Sequence, residues 1–301
     1  MIQSPINYTG GKAKLLNQIL PKFPKNINRF VDLFCGGCNV GLNVEAEEIS
    51  YNDYNKQVIN LFKSLKEYKK SNVLDYIYEI IEEYNLSLVS EYGYEYYNCN
   101  SSEGLGKYNR DKFNKLRLDY NEMKKNTETY LLLYVLIVYA FNNQIRFNSK
   151  GEYNLPVGKR DFNNRMQEKL ISFIDKVNNQ NCTFTSIDFR AYDIKKLDKY
   201  DFVYIDPPYL ITCATYNESG GWTKNDEKSL LDLLDTLDNK NIRYALSNVF
   251  ENKGKKNDIL INWVNGRENL NVYHLSYNYS NCNYHTKNKN ILCDEVLITN
   301  Y

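Results

Sequence analysis

The sequence predicts an α/β fold whose sheet-forming segments are interrupted by a largely helical insertion. Three observations lead there. Short runs rich in β-branched and aromatic residues lie towards both ends of the chain, as in FVDLF at 30–34, FVYI at 202–205 and IRYALSNVF at 242–250. Between them, apolar residues recur every three or four positions, the period of amphipathic helices. Finally, 174 positions separate Asp32 from Asp206. Three strand–helix–strand steps of about 30 residues each would use only about 90, so about 80 to 100 residues are inserted.

A chain of 301 residues accommodates one to two domains. With 38 Lys or Arg against 37 Asp or Glu, the net charge is +1, which excludes a uniformly basic binder and requires a local patch for any anionic partner. Seven cysteines form no repeating framework, and MIQSPINYTGGK lacks the charged start and apolar core of a secretory leader. A reducing, cytoplasmic setting is expected. The longest apolar run, YLLLYVLIVYAF at 130–141, is shorter than the roughly 20 residues that span a bilayer and is expected to be a buried helix.

The first strand, Phe30 to Phe34, runs into Gly36, Gly37 and an expected helix start with Gly41. Strand, glycine turn and helix make a nucleotide-type unit in which the backbone approaches a ligand. Asp53 closes a second strand about 20 residues on, where a carboxylate accepts from ribose hydroxyls; capping of the next helix is the alternative. Cys35-Gly36-Gly37-Cys38 also fits a thioredoxin-like redox turn, and a metal would need a second ligand pair that the chain does not display. No metal is expected.

From Lys56 the pattern is helical through VINLFKSLKEYKK, VLDYIYEIIEEY and YNRDKFNKLRLDYNEMKK. FNNQIRFNSKGEYNLPVGKRDFNNR follows, with Gly151 between two alternating runs, and predicts a hairpin or long loop. Residues 142–170 hold six Lys or Arg against three Asp or Glu, a basic patch in a near-neutral protein. CTFTSIDF predicts a strand ending at Asp188-Phe189, and NVYHLSYNY with DEVLITNY predicts a closing antiparallel pair.

The stretch DFVYIDPPYL is the most informative. Asp201 to Ile205 forms a buried strand, and the proline pair ends it, so Asp206-Pro207-Pro208-Tyr209 is delivered to a sheet edge on a rigid turn. Exposing a carboxylate and an aromatic ring on such a turn is how a fold presents chemistry.

Five segments in order then resemble the Dam-type DNA adenine-N6 methyltransferases: PINYTGGK, FVDLFCGGCNVG, YNDYN, SIDF and DPPY. The resemblance implies a class I S-adenosylmethionine-dependent methyltransferase fold, a Rossmann-like sheet with a C-terminal antiparallel hairpin. It implies a catalytic domain over 1–56 and 166–301 and an inserted, mainly helical target-recognition domain with a β-hairpin over 57–165. It assigns Tyr8, Lys12, Asp32, Cys35, Gly36, Gly37, Asp53, Asp188 and Phe189 to S-adenosylmethionine. To double-stranded DNA it assigns Asn7, Phe141, Asn142, Gln144, Arg146 and Pro156. Asn7 stands where GATC-reading members carry a lysine, and Gln144 replaces an apolar residue, so a target sharing only part of GATC is expected. A cognate restriction endonuclease is a further implied partner.

An exocyclic adenine amine is a poor nucleophile because its lone pair is delocalised into the ring. Asp206 and the Pro207 carbonyl are the expected acceptors for its N–H groups, and Tyr209 the expected stacking partner of a flipped base. Methylation of RNA or of a protein amide, and a non-catalytic cofactor- or DNA-binding regulator, are the alternatives. Residues 211–224, anchored by Trp222, are expected to form a lid. The loop 281–290 is expected to be a phosphate contact or a hairpin tip, and His274 and His285 to be structural or solvent-facing.

Overall fold

The computed structural model describes residues 1–68, 70–212, 221–276 and 293–301. The core of the expected lid, the loop 281–290 and His285 lie outside the described residues. The chain divides into two compact units. One comprises Met1–Gly11, Gly36–Leu42 and Asn55–Phe184, the other Lys12–Cys35, Asn43–Tyr54 and Thr185–Tyr301.

The second unit is built on a mixed sheet. Its strands are β1 (Arg29–Asp32), β2 (Glu48–Asn52), β4 (Phe202–Ile205), β5 (Arg243–Asn252), β7 (Asn271–Leu275) and β8 (Cys293–Thr299), in the order β2-β1-β4-β5-β8-β7; the two-residue β6 (Lys255–Lys256) pairs with β5. Strand β3 (Cys182–Thr185) straddles the division of the chain. β2, β1, β4 and β5 run parallel, and β5, β8 and β7 are antiparallel neighbours. β4 in particular is a continuous apolar run, Phe202–Ile205, with all four residues buried, as expected of a central parallel strand.

Alternation sorts the two faces. Phe30, Phe202 and Tyr204 meet Phe23 in an aromatic cluster with ring centroids 4.7 to 6.0 Å apart. Val31, Val203 and Ile205 point the other way and join Leu230, Leu234 and Leu260 from α8 (Lys224–Asn239) and α9 (Asp258–Asn265). Each such fully buried aliphatic side chain stabilises by about 1.5–3 kcal/mol. Asp201 fixes the start of β4 by accepting from Arg29 N at 3.0 Å and Asp198 N at 2.9 Å. The short α1 (Leu16–Ile19) belongs to the same unit.

The first unit is helical: α2 (Lys56–Glu67), α3 (Lys70–Glu83), α4 (Val89–Tyr96), α5 (Gly106–Glu122), α6 (Thr127–Tyr139) and α7 (Asn164–Asn179). It thus takes in the expected insertion and also α7. Helix α6 is the axis. It is apolar all round, buried from Thr129 to Tyr139, and contacts α2, α3 and α5. An Asn126–Thr129 capping box starts it. Among the described residues no helix is long and apolar enough to cross a membrane.

Two expected elements differ. No α-helix follows the glycine turn; a 3₁₀ turn, Gly41–Asn43, stands there, preceded by Gly36 at φ +47° and Cys38 at φ +63°. Strand β3 stops at Thr185 instead of reaching Asp188. The Asn52 side chain captures both the N–H and the C=O of Ile187, at 3.0 and 2.9 Å, and turns the chain away.

Candidate active site

β4 ends at Ile205, and Asp206-Pro207-Pro208-Tyr209 follows without regular structure at the carboxyl edge of the parallel sheet. In such sheets ligands bind beyond the carboxyl ends of the strands. Asp206 Oδ1 lies 2.9 Å from Lys12 Nζ and accepts the Tyr209 hydroxyl at 2.9 Å. The same two donors reach Glu295 Oε1, at 3.5 Å from Lys12 and 3.3 Å from Tyr209. Lys12 Nζ also lies 4.9 Å from the centre of the Tyr209 ring.

Burial pushes the Asp206 carboxyl above its ordinary range; Lys12 opposes that and Glu295 adds to it. For Lys12, burial alone would lower the ammonium, but the two carboxylates prevail and hold it upward. Burial together with both carboxylates keeps the Tyr209 phenol well above its usual value. The cluster thus brings an amine, a phenol and two carboxyl groups together. Behind it, Tyr204 Oη and Ser247 Oγ are 2.7 Å apart and buried.

The neighbouring strand ends supply the other predicted carboxylates. Asp32, 1% exposed, pairs in register with Tyr204, and Leu33 N donates to Tyr204 O at 3.0 Å. Cys35 N donates to Asn52 O at 2.8 Å, and Asn52 Nδ2 donates to Leu33 O at 3.1 Å, which ties the ends of β1 and β2 together. Asp53, buried, follows directly, its N–H on Thr185 O at 3.2 Å.

Phe189 forms an aromatic shelf with Phe34 and Trp222, with centroids 5.3 to 5.9 Å apart. Trp222 Nε1 donates to Glu227 Oε2 at 2.6 Å, and Asn257 Nδ2 to Glu227 Oε1 at 2.7 Å. Asp188 accepts from Arg190 Nε and Nη2 at 2.8 and 2.7 Å, and Arg190 Nη1 reaches Asp226 Oδ1 at 2.8 Å. That fork holds the Asp188 carboxyl below its ordinary range.

In the helical unit, Tyr8 packs directly on the glycine turn. A Cβ on Gly36 would lie 2.8 Å from the Tyr8 ring, and one on Gly37 3.0 Å from Ser4 Oγ. Only glycine leaves room for that approach. Ser4 N donates to Asn39 Oδ1 at 3.0 Å and fixes the pairing.

The expected hairpin has antiparallel bridges Ala140–Val157 and Phe147–Tyr153, with Gly151 at φ +79° near its tip. Phe141, Asn142, Arg146 and Pro156 are exposed on it, and Gln144 is half-buried. Asn7 Nδ2 donates to Asn142 O at 3.1 Å. Arg146 is braced by Asn154, through Nε to Oδ1 at 2.8 Å and Nη2 to the carbonyl at 3.2 Å. The buried side is anchored by Asn121, which exchanges two hydrogen bonds with the Tyr153 backbone, and by Arg117, which donates to Leu155 O at 2.9 Å.

Lys12, expected on the cofactor side, thus lies on Asp206 and Tyr209. Glu295, Asn52, Arg190, Trp222 with Glu227, and Asn154 were not among the predicted site residues. Glu295 did carry a signal: it is the charge immediately preceding the apolar run Val296-Leu297-Ile298.

A carboxylate followed by two prolines thus stands beyond the end of a parallel strand, with Asp32 and Asp53 at the ends of the neighbouring strands. The chain belongs to the D12 class N6 adenine-specific DNA methyltransferase family, which it matches over residues 8–285. It is 41% identical to modification methylase StsI of Streptococcus sanguinis, over 100% of this chain and 43% of that protein. It is 40% identical to type II methyltransferase M.FokI of Planomicrobium okeanokoites, with the same coverages of 100% and 43%. A DNA adenine methylase of Haemophilus influenzae is 26% identical over 81% of this chain and 78% of its own length. The chain therefore spans under half the length of the first two relatives.

Proposed function

We propose that this chain transfers a methyl group from S-adenosylmethionine to N6 of adenine at a specific site in duplex DNA. The observation that carries the reading is Asp206, held by Lys12 and Tyr209 on a proline-stiffened turn at the end of β4. The cofactor supplies the electrophilic methyl group. The resemblance assigns to it Gly36 and Gly37, against which Tyr8 packs, and the buried carboxylates Asp32 and Asp53 at the ends of β1 and β2. Lys12, Cys35, Asp188 and Phe189 complete the set assigned to it.

Asp206 and the Pro207 carbonyl accept hydrogen bonds from the amine and favour a tetrahedral nitrogen with an available lone pair. Two prolines remove backbone freedom, so the acceptors need little reorganisation during the reaction. The Tyr209 ring stacks on the flipped adenine and offsets part of an unstacking cost of about a few kcal/mol. Orientation supplies much of the remaining acceleration.

In this reading the chain is a class I methyltransferase with residues 57–165 as an inserted recognition domain. Arg146 faces guanine O6 and N7, Phe141 and Asn142 fill the space the adenine leaves, and Pro156, Gln144 and Asn7 set the flanking bases. The modification and type II names of the relatives support a cognate endonuclease as partner. Labelled methyl incorporation into duplex DNA, ribosomal RNA and protein tests the reading: label confined to N6 of DNA adenine supports it, and label in RNA or protein alone refutes it. Mapping modified adenines genome-wide tests the target, and modification confined to GATC overturns the expected divergence from that sequence.

A further inference from the structure

Glu295 belongs to none of the motifs that define the site, yet it is 2% exposed and its carboxylate lies within the Asp206 cluster. It reaches there through an irregular piece of sheet. Glu295 pairs with Val249 of β5, and the β5–β8 register shifts between Val249 and Glu251. Bulges of this kind re-aim side chains beside functional sites.

Lys12 and Tyr209 share the same two acceptors. Lys12 contacts Asp206 Oδ1 at 2.9 Å and Glu295 Oε1 at 3.5 Å, and the Tyr209 hydroxyl contacts the same two oxygens at 2.9 and 3.3 Å. Neutralising a buried lysine takes one carboxylate. A second adds desolvation and repulsion, and it leaves the cluster with a surplus negative charge. That arrangement suits a reaction in which Asp206 must leave its present partners and positive charge appears on the attacking nitrogen.

We propose that Glu295 is a positioning residue for methyl transfer. It holds Lys12 and the Tyr209 hydroxyl while Asp206 turns to the target amine, so the acceptor is released without stranding a buried ammonium. Its charge also favours the cationic nitrogen formed when the lone pair bonds to the methyl carbon and the carbon–sulfur electron pair stays on sulfur. This inference rests on the reading of Asp206 as the amine acceptor.

Among the described residues, titratable groups facing Glu295 include Lys12, Asp206 and Tyr209, with Tyr204 on β4 and Cys293 on its own strand also within its field. Lys12, both tyrosines and Cys293 are all held on the alkaline side, so the acid limb of the rate is assigned to Asp206. Glu295 is one cause of the upward displacement of Asp206.

The test is the single-turnover methylation rate of E295Q in the full chain on a duplex oligonucleotide, across a pH series, with cofactor and DNA affinities measured alongside. The plateau rate is expected to fall roughly tenfold, with both affinities held within about twofold. The acid limb is expected to move to lower pH, because the repulsion acting on Asp206 is gone. E295D, which keeps the charge, is expected to leave the limb where the wild type has it, and it decides the matter if E295Q does not fold. A wild-type plateau and limb in E295Q, a lower plateau with an unmoved limb, or a displaced limb in E295D each overturn the proposal. Asp206→Asn serves as the control: activity there refutes the amine-acceptor reading itself, whereas an inactive Asp206→Asn beside an unaffected E295Q removes only the role of Glu295.

Discussion

Lys12 Nζ lies 2.9 Å from Asp206 Oδ1, in a contact where only 6% and 16% of the two side chains are exposed. Burial raises the Asp206 carboxyl above its ordinary value, and Lys12 opposes that rise without cancelling it. Only the ionised form offers both oxygens as acceptors to an amine. The acid limb of the methylation rate is therefore expected above the ordinary Asp value of 3.8. Stability runs the other way. A carboxyl whose folded-state value is raised contributes its stability below the unfolded value and loses it as pH rises through the folded one. Activity should thus rise across a window in which this group's contribution to stability falls. Rate and thermal midpoint measured over the same pH series check both signs.

Gly36 and Tyr8 define a second dependency. Gly36→Ala places a methyl 2.8 Å from the Tyr8 ring at φ +47°. The strain and the displaced ring are expected to total about 1–3 kcal/mol, seen as cofactor affinity weakened about tenfold or more by calorimetry. Unchanged affinity would remove the glycine turn from the cofactor site.

Gly158 controls the hairpin. A Cβ there would lie 2.3 Å from the Ala140 carbonyl oxygen, within a backbone pairing in which Gly158 N donates to Tyr139 O at 2.7 Å and Phe141 N to Pro156 O at 2.9 Å. Because backbone cannot yield as a side chain does, Gly158→Ala is expected to cost about 1–3 kcal/mol locally and to weaken duplex binding. Fluorescence anisotropy with a cognate oligonucleotide measures it, and wild-type affinity would count against the hairpin as a DNA contact.

Arg146, the proposed guanine reader, is braced by Asn154. Arg146→Ala is expected to lose about 1–3 kcal/mol of discrimination at one guanine position. Asn154→Ala, which leaves the charge but frees the guanidinium, should lose part of that discrimination while retaining non-specific affinity. Rates on oligonucleotides substituted at each position in turn separate the two. Equal loss on every sequence would make Arg146 a phosphate contact.

The parts of this molecule that local chemistry determines were legible in the sequence. The run up to Ile205, followed by Asp206 and two prolines, predicted a buried strand that ends there, and β4 is buried throughout and stops at Ile205. The apolar face of α2 and the all-round apolar α6 followed from spacing and composition. What escaped depends on contacts remote in the chain. Glu295 joins Asp206 through sheet register and a bulge, which no local pattern encodes. The early end of β3 depends on the Asn52 side chain, 135 positions from Ile187. Cys38 adopts φ +63° ahead of the 3₁₀ turn Gly41–Asn43, a conformation that composition does not announce. Arg190 is drawn to Asp188 by adjacency but also to Asp226 by the fold, 36 positions away.

The most direct test is mass-spectrometric nucleoside analysis of duplex DNA incubated with S-adenosylmethionine and either the wild-type chain or Asp206→Ala. N6-methyladenine formed by the wild type, and reduced to background by the variant while its cofactor affinity persists, is the predicted result. N6-methyladenine accumulating at the wild-type rate in the variant would contradict the assignment of Asp206.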